Sequence, residues 1–435
     1  MLSTLKNKFR IKNDVIIISF LTLLISFLSS NQWSTLPVGN ETFWWIIQFA
    51  FIYLLFKLKK KITSPTIETH LLFVKLYVFW NIICIVRGAF VAENYWEWKM
   101  LIVTSYFLLL PLIVYLANSH RSIQIIIKTW FKYGLIIFIL FSPFLWGDAV
   151  GKFLIPLSFL LLFYPVLSTK WKMIVIAFSI FVITFDITAR SNVIKFAVPL
   201  LIGLLYNFRK ILSNKILNTT RLLFLFMPMG LLFLAISGVF NVFKLDEYVG
   251  LQTTKTKSIT GEVSEENLTA DTRTFLYIEV IESALKNNYI FFGRTPARGN
   301  DSEYFGDFAF ETLKTGKHER GTNEVSILNI FTWLGIVGVL LYFLIFIKAT
   351  YLAINESNNI FIKLIGLNIS FRWTYGFVED FSRFDLSNIF LWLMIGMCFS
   401  ESFRQMTNAE MKHWVRGIFE KQRRIKRKRT LQSME

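Results

Sequence analysis

Long apolar runs, separated by short polar connections, occupy most of the chain. Twelve such runs fall at about 14–31, 42–57, 69–87, 100–118, 123–146, 150–168, 172–188, 191–207, 221–243, 325–347, 360–378 and 386–402. Most approach or reach the roughly 17–25 residues that a helix needs to cross a bilayer. In lipid such runs must be helices, because every backbone polar group has to be satisfied within the segment. The alternating pattern of an outer-membrane barrel is absent. The pattern therefore predicts an all-α polytopic membrane protein. The second run is short, and the eleventh carries Lys363 and Arg372.

One stretch breaks the pattern. Residues 244–324 form a long polar segment between the ninth and tenth runs. It opens on a Lys/Thr/Ser/Glu-rich part, continues through an amphipathic stretch and ends in a loop dotted with glycine and arginine. The chain thus divides into nine spans over 1–243, the polar segment over 244–324, three spans over 325–402 and a basic tail over 403–435.

Composition agrees with a membrane location. Of 435 residues, 54% are hydrophobic, with 46 Phe and 13 Trp. Several aromatics sit near run ends, where membrane interfaces favour them. The formal charge is +18. In a soluble protein that would indicate nucleic acid. Here the Lys and Arg concentrate in connections, where they set topology. Lys6, Lys8, Arg10 and Lys12 precede the first run, and Lys57, Lys59, Lys60 and Lys61 follow the second. Arg209, Lys210, Lys215 and Arg221 separate the eighth and ninth, and a run from Arg423 to Arg429 lies in the tail. Twelve spans put all of these on one side, with both termini cytoplasmic and the polar segment outside. That segment holds ten Lys/Arg, but long loops translocate largely regardless of charge. The N-terminal run lacks a small-residue cleavage site and reads as a first span. Cys84 and Cys398 lie in apolar runs, so no disulfide framework or metal motif is indicated.

The outer connections carry the candidate chemistry. They include Gly88–Met100, Gly147–Lys152, the turn 188–192 and Arg372–Asp385. Arg190 stands at the outer end of the seventh run. The plain account is an arginine reaching the headgroups and paired with Asp186. Lys195 lies slightly deeper, where a charge needs water, a partner or an anionic ligand. Arg273 opens the amphipathic stretch. Asp271 or Thr272 can cap a helix there, and Phe275, Ile278, Ile281 and Leu285 share one face. A surface helix lying on the membrane is the plain account. Helix starts also suit phosphate. Next come Gly293, Arg294 and Arg298, then Lys317, His318, Glu319, Arg320, Asn323 and Glu324. A lone histidine such as His318 is usually structural or solvated. Metal-binding, nucleotide-loop and Ser–His–Asp motifs are missing, so no metal and no cofactor are expected.

The order and spacing of these elements resemble the O-antigen ligase and polymerase superfamily, over about 185–346. Thr188-Ala189-Arg190-Ser191 looks like that family's arginine at the outer end of a middle span. Arg273 through Gly293 looks like its loop helix, opened by a second arginine and closed by a glycine turn. Thr322-Asn323 followed by Trp333, Gly335 and Gly338 looks like its His-Asn pair before a glycine-rich span. Thr322 stands where the family has histidine, and His318 is four residues upstream.

The resemblance implies a GT-C-like glycosyltransferase in the bacterial inner membrane, most like a Wzy-type polymerase. Its donor would be an oligosaccharide on a polyprenyl diphosphate carrier, and its setting O-antigen, capsule or exopolysaccharide assembly, with a flippase and a chain-length regulator as partners. On this reading Arg190, Lys195 and Arg273 hold the diphosphate or glycan, helped by Arg294, Arg298, Arg320 and Asn323. Guanidinium groups bind phosphate bidentately and stay charged. His318, Glu319 and Glu324 are the candidates for activating the acceptor hydroxyl. The missing histidine tilts the reading from ligase to polymerase. A transporter or flippase is the rival from another class. It fits poorly, because the polar segment breaks the two related halves that carriers usually show.

Overall fold

The structure, a computed structural model, describes residues 2–62, 70–185, 190–244, 246–249, 253–257, 263–267 and 271–420. Asp186 and the run from Arg423 to Arg429 lie outside these residues.

The chain is mostly helical, and each of the twelve apolar runs is at least partly helix. Eight helical stretches are long and apolar enough to cross a membrane: Ile11–Trp33, Glu41–Lys61, Leu72–Val91, Tyr95–Asn118, His120–Phe144, Arg190–Phe208, Asn214–Ile236 and Ser326–Asn355. The other runs make shorter helices, at Thr169–Phe185, Ile360–Tyr375 and Leu386–Phe399. The sixth run is two short helices, Ala149–Leu154 and Pro156–Leu161. Pro156 has no N–H to continue the first of them. Residues 149–157 and 159–163 are nearly all buried within the protein, which is where a broken helix at membrane depth is tolerated. The chain thus reads as a multi-pass membrane protein. Leu386–Phe399 lies at its centre, with almost every side chain buried.

Helix boundaries move at one informative place. Arg221 was expected in a connection. It is instead buried inside Asn214–Ile236, which begins seven residues earlier than the apolar run.

The described part of the polar segment is fastened to the bundle. It contains the helix Thr274–Lys286 and two short antiparallel strand pairs, Thr253–Lys257 with Val263–Asn267 and Asn300–Asp301 with Glu319–Arg320. Its anchor is a break in the longest membrane helix. Gly335 has φ 66° within Ser326–Asn355, a left-handed conformation that favours glycine. The N–H groups of Ile336 and Val337 leave the helical ladder and bond to the carbonyls of Ile290 and Phe291, at 2.8 and 3.3 Å. Arg294 N–H donates to the Thr332 carbonyl at 2.7 Å. A Cβ on Gly335 would lie 2.3 Å from the Phe291 oxygen, and one on Gly293 would lie 2.5 Å from the Leu334 nitrogen. The two glycines let one backbone seat against the other. Arg87 closes the joint by donating to the carbonyls of Phe292 and Gly293.

The two ends of the bundle differ. At one end the polar segment meets the connections after the first, fifth, seventh and eleventh runs. Trp33, Thr35, Phe144 and Trp146 exchange backbone hydrogen bonds there. The opposite end holds Lys57 and Lys61, both 2.7 Å from Asp14, and the connection around Arg209. The start of the first helix and the helix Asn408–Phe419 are at this same basic end. Phe419 stacks there on Trp171 at 3.9 Å.

Candidate functional site

A cavity of about 650 Å³ opens at the end that carries the polar segment. Its walls come from seven separated parts of the chain. The connection after the first helix supplies Gln32 and Trp33. Asp148 and Lys152 come from the start of the broken sixth run. Arg190 and Lys195 lie on the first turns of Arg190–Leu204. Val242 and Phe243 lie just before the polar segment, Thr272 and Arg273 just before its helix Thr274–Lys286, and Glu324 at its end. The last wall is the connection from Tyr375 to Ser387, with Glu379, Asp380, Arg383 and Asp385.

Four of the expected site residues therefore meet: Arg190, Lys195, Arg273 and Glu324. Local chemistry explains how each is held. Asp271 accepts the N–H groups of Arg273 and Thr274 at 3.0 and 2.9 Å and so starts the helix Thr274–Lys286, as expected for a capping residue. The Arg273 guanidinium donates to the Val378 carbonyl at 3.1 Å and to Glu324 at 2.6 Å. Glu324 also lies 3.4 Å from Arg320. The buried Lys195 ammonium bonds Glu379 at 2.8 Å and Ser191 at 3.0 Å. The exposed Arg190 is the first residue of its helix.

The remaining members went unmarked in the sequence. Lys152 lies 3.2 Å from the centre of the Trp33 ring and 3.9 Å from Asp148. Arg383 donates to Asp380 at 2.6 Å and to Gln32 at 2.9 Å. Asp385 accepts the Asn388 N–H at 2.8 Å and so caps the last long helix. Burial pushes the Asp385 carboxyl above its ordinary range, against the pull of that hydrogen bond and of Lys152 and Arg372. The lining thus holds five cations (Lys152, Arg190, Lys195, Arg273, Arg383) and five carboxylates (Asp148, Glu324, Glu379, Asp380, Asp385). The sequence did carry a signal. Both connections were already assigned to this face, but their charged residues were not singled out.

The other expected residues go elsewhere. Arg294 bonds Asp301 at 2.7 Å and lies 3.1 Å from Glu319. Arg298 grips Glu319 and approaches Glu97 at 3.6 Å. Lys317 pairs with Glu97 and Glu93. Arg294, Arg298 and Glu319 therefore belong to an ion network that ties the loop to the helix Tyr95–Leu109. His318 is 57% exposed, 3.1 Å from Asp307 and stacked on Phe310. Neither His318 nor Glu319 lines the cavity. The Arg320 guanidinium covers the Phe305 ring at 3.9 Å. Asn323 is 2% exposed. Its side chain donates to Asn300, and Asn329 links its backbone to Ser382. Asn323 thereby fixes the chain just before Glu324.

The amphipathic helix turns the other way from a core helix. Ile278, Ile281 and Leu285 are 50%, 47% and 59% exposed. The buried face carries Leu276, Glu279, Val280 and Ser283. Glu279 accepts the N–H groups of Glu303 and Tyr304 and the Ser302 hydroxyl.

Chemically, the cavity offers a polar ligand both cations and carboxylates in equal number. Its cations are matched by carboxylates, so an incoming anion has to displace a carboxylate, most directly Glu324 from Arg273. Among the described residues no group of His, Cys, Asp and Glu is placed to hold a metal ion. No family model, curated protein or solved structure matches the chain.

Proposed function

We propose that the protein is a membrane glycosyltransferase that joins oligosaccharide units carried on polyprenyl diphosphate, working as a polysaccharide polymerase on the outer face of a bacterial cytoplasmic membrane. One observation carries this reading. Arg190, Lys195 and Arg273, far apart in the chain, converge with Lys152 and Arg383 on a single cavity at one end of the membrane helices.

The chemistry follows from the placement. The donor diphosphate sits against Arg190 and Arg273, with Lys152 and Arg383 alongside. Lys195, neutralised by Glu379, holds that wall in place. The bond from the sugar anomeric carbon to the phosphate oxygen breaks, and its electron pair leaves on the diphosphate. Fixed guanidinium groups stabilise that charge as it develops. The acceptor hydroxyl oxygen forms the new bond to the anomeric carbon. Its proton passes to a carboxylate. Glu324 is the one of the three expected bases on the cavity wall, and it is released for this role when the diphosphate takes over Arg273. Thr322, standing where the family has histidine, favours polymerase over ligase.

Replacing Arg190 or Arg273 with Ala is expected to cut chain extension about 10²–10³-fold, the usual loss on removing one charge-stabilising group. Long-chain glycan on gels and membrane levels by immunoblot are the measurements. Unchanged long-chain glycan in both variants sinks the assignment.

A further inference from the structure

At the basic end of the bundle, Arg221 presents a problem that the cavity does not address. It is 7% exposed, inside the helix Asn214–Ile236. Its Nε and Nη1 are buried with no hydrogen-bond partner. Among the described residues no carboxylate pairs with it. A buried cation without a counter-charge is strongly disfavoured, so an anion from outside the chain is the simplest way to satisfy it.

The surroundings say which kind of anion. The Arg221 guanidinium lies 5.6 Å from the centre of the Tyr351 ring, and the Lys348 ammonium lies 5.7 Å from the same ring. Two cations thus flank one phenol. Asn218, one turn before Arg221, bonds Asn355 at the end of Ser326–Asn355. Tyr351 is four residues from that end, about 6 Å along the axis. This depth matches the headgroup side of a bilayer, where long basic side chains reach for phosphate. From Arg221 onward the same helix exposes Leu222, Leu223, Phe226 and Phe233, by 44%, 59%, 48% and 70%. A phosphate beside an apolar face is the chemistry of a phospholipid.

We infer that Arg221, Lys348 and Tyr351 form a binding site for the phosphate of an anionic phospholipid, whose acyl chains lie along the exposed face of Asn214–Ile236. The site is separate from the cavity and holds whatever reaction the cavity performs.

The test uses the full chain purified in detergent. It is incubated with equal amounts of phosphatidylglycerol and phosphatidylcholine of the same chain length, and retained lipid is counted by native mass spectrometry. A cation near the headgroup contributes about 1 kcal/mol, or about 5-fold, per residue. Wild-type protein should retain phosphatidylglycerol about 5-fold or more in excess. Arg221→Gln should lose about 5-fold of that preference, and Arg221→Lys should keep most of it. Lys348→Gln, at a less buried position, should lose a similar share and carries the test should Arg221→Gln fail to fold. Equal retention of the two lipids by wild-type protein overturns the site. So does an undiminished preference in both Gln variants. Displacement of phosphatidylglycerol by millimolar inorganic phosphate would assign the site to a soluble anion and overturn the lipid.

Discussion

Lys195 and Glu379 are 184 positions apart, yet their charged atoms lie 2.8 Å apart on the cavity wall. The two are not equally placed. The Lys195 side chain is 6% exposed and that of Glu379 19%. Removing one partner of a buried pair costs about 3–5 kcal/mol, mostly because the other is stranded. Lys195→Met leaves a carboxylate facing the open cavity, where water reaches it, so the cost should be near 3 kcal/mol. Glu379→Gln leaves an ammonium walled in by protein, and its cost should be near 5 kcal/mol. Thermal unfolding of the two variants in one detergent decides the order. A more stable Glu379→Gln would mean that Ser191 alone satisfies the lysine. This pair also shows what the sequence yields at the residue scale. Lys195 was legible because a lysine inside an apolar run is costly and demands a reason. Glu379 was not, because an acidic residue in a short connection is unremarkable until the fold folds that connection over a cavity. The same holds for Asp380 and Asp385, and a basic residue in such a connection, such as Arg383, draws as little notice. His318 shows the reverse case. Its rarity drew notice, but the ring stacks on Phe310 beside Asp307, away from the cavity.

At the scale of elements, apolar runs and the Asp271 signal located helices well, including Thr274–Lys286. They did not say which face packs. Ile278, Ile281 and Leu285 face outward, whereas Glu279 and Ser283 are buried, because short-range apolar spacing cannot tell a protein core from a lipid interface. The break at Gly335 was equally hidden, since it depends on the distant Gly293 segment. The start of Thr274–Lys286 positions Arg273, so its cap matters to the cavity. Burial pushes the Asp271 carboxyl up, but the bonds from Thr274 and the Arg273 N–H outweigh this and hold it below its ordinary value. A lowered folded value stabilises above the unfolded pKa of about 3.9 and loses that stabilisation as pH falls through the folded value. Asp271→Ala should therefore weaken the helix by about 1 kcal/mol at neutral pH. Asp271→Asn should keep the cap at every pH, because asparagine caps without titrating. Hydrogen exchange of the amides in Thr274–Lys286 reports the opening energy of this helix. A wild-type advantage over Asp271→Ala that stays constant from pH 7 to pH 3 would show that the carboxylate charge contributes nothing.

Sidedness is a property of the whole molecule, and the proposed chemistry depends on it. The fold gathers the Lys/Arg clusters at one end: Lys57 to Lys61, Arg209 with Lys210, and the last described helix Asn408–Phe419. The start of the first helix is there too. The cavity and polar segment share the other end. Charge bias keeps Lys and Arg of short connections in the cytoplasm, so the cavity end should face out. The polar segment carries ten Lys/Arg against fourteen Asp/Glu, and a segment of its length crosses largely regardless of charge. Labelling with a membrane-impermeant maleimide tests this directly. Both native cysteines are free and buried, so they should give little background. In intact cells Ser264→Cys and Glu303→Cys, on the polar segment, should label without permeabilisation. Lys210→Cys, exposed at the basic end, should label only after the membrane is opened. Glu303 lies close to the anchored part of the segment, so its labelling reports the bundle end and not a stray loop. The opposite pattern would place the cavity in the cytoplasm. A lipid-linked donor presented on the outer leaflet could not then reach Arg190 and Arg273. The polymerase reading would fall even if both arginines proved essential, and a cytoplasmic phosphorylated substrate would take its place.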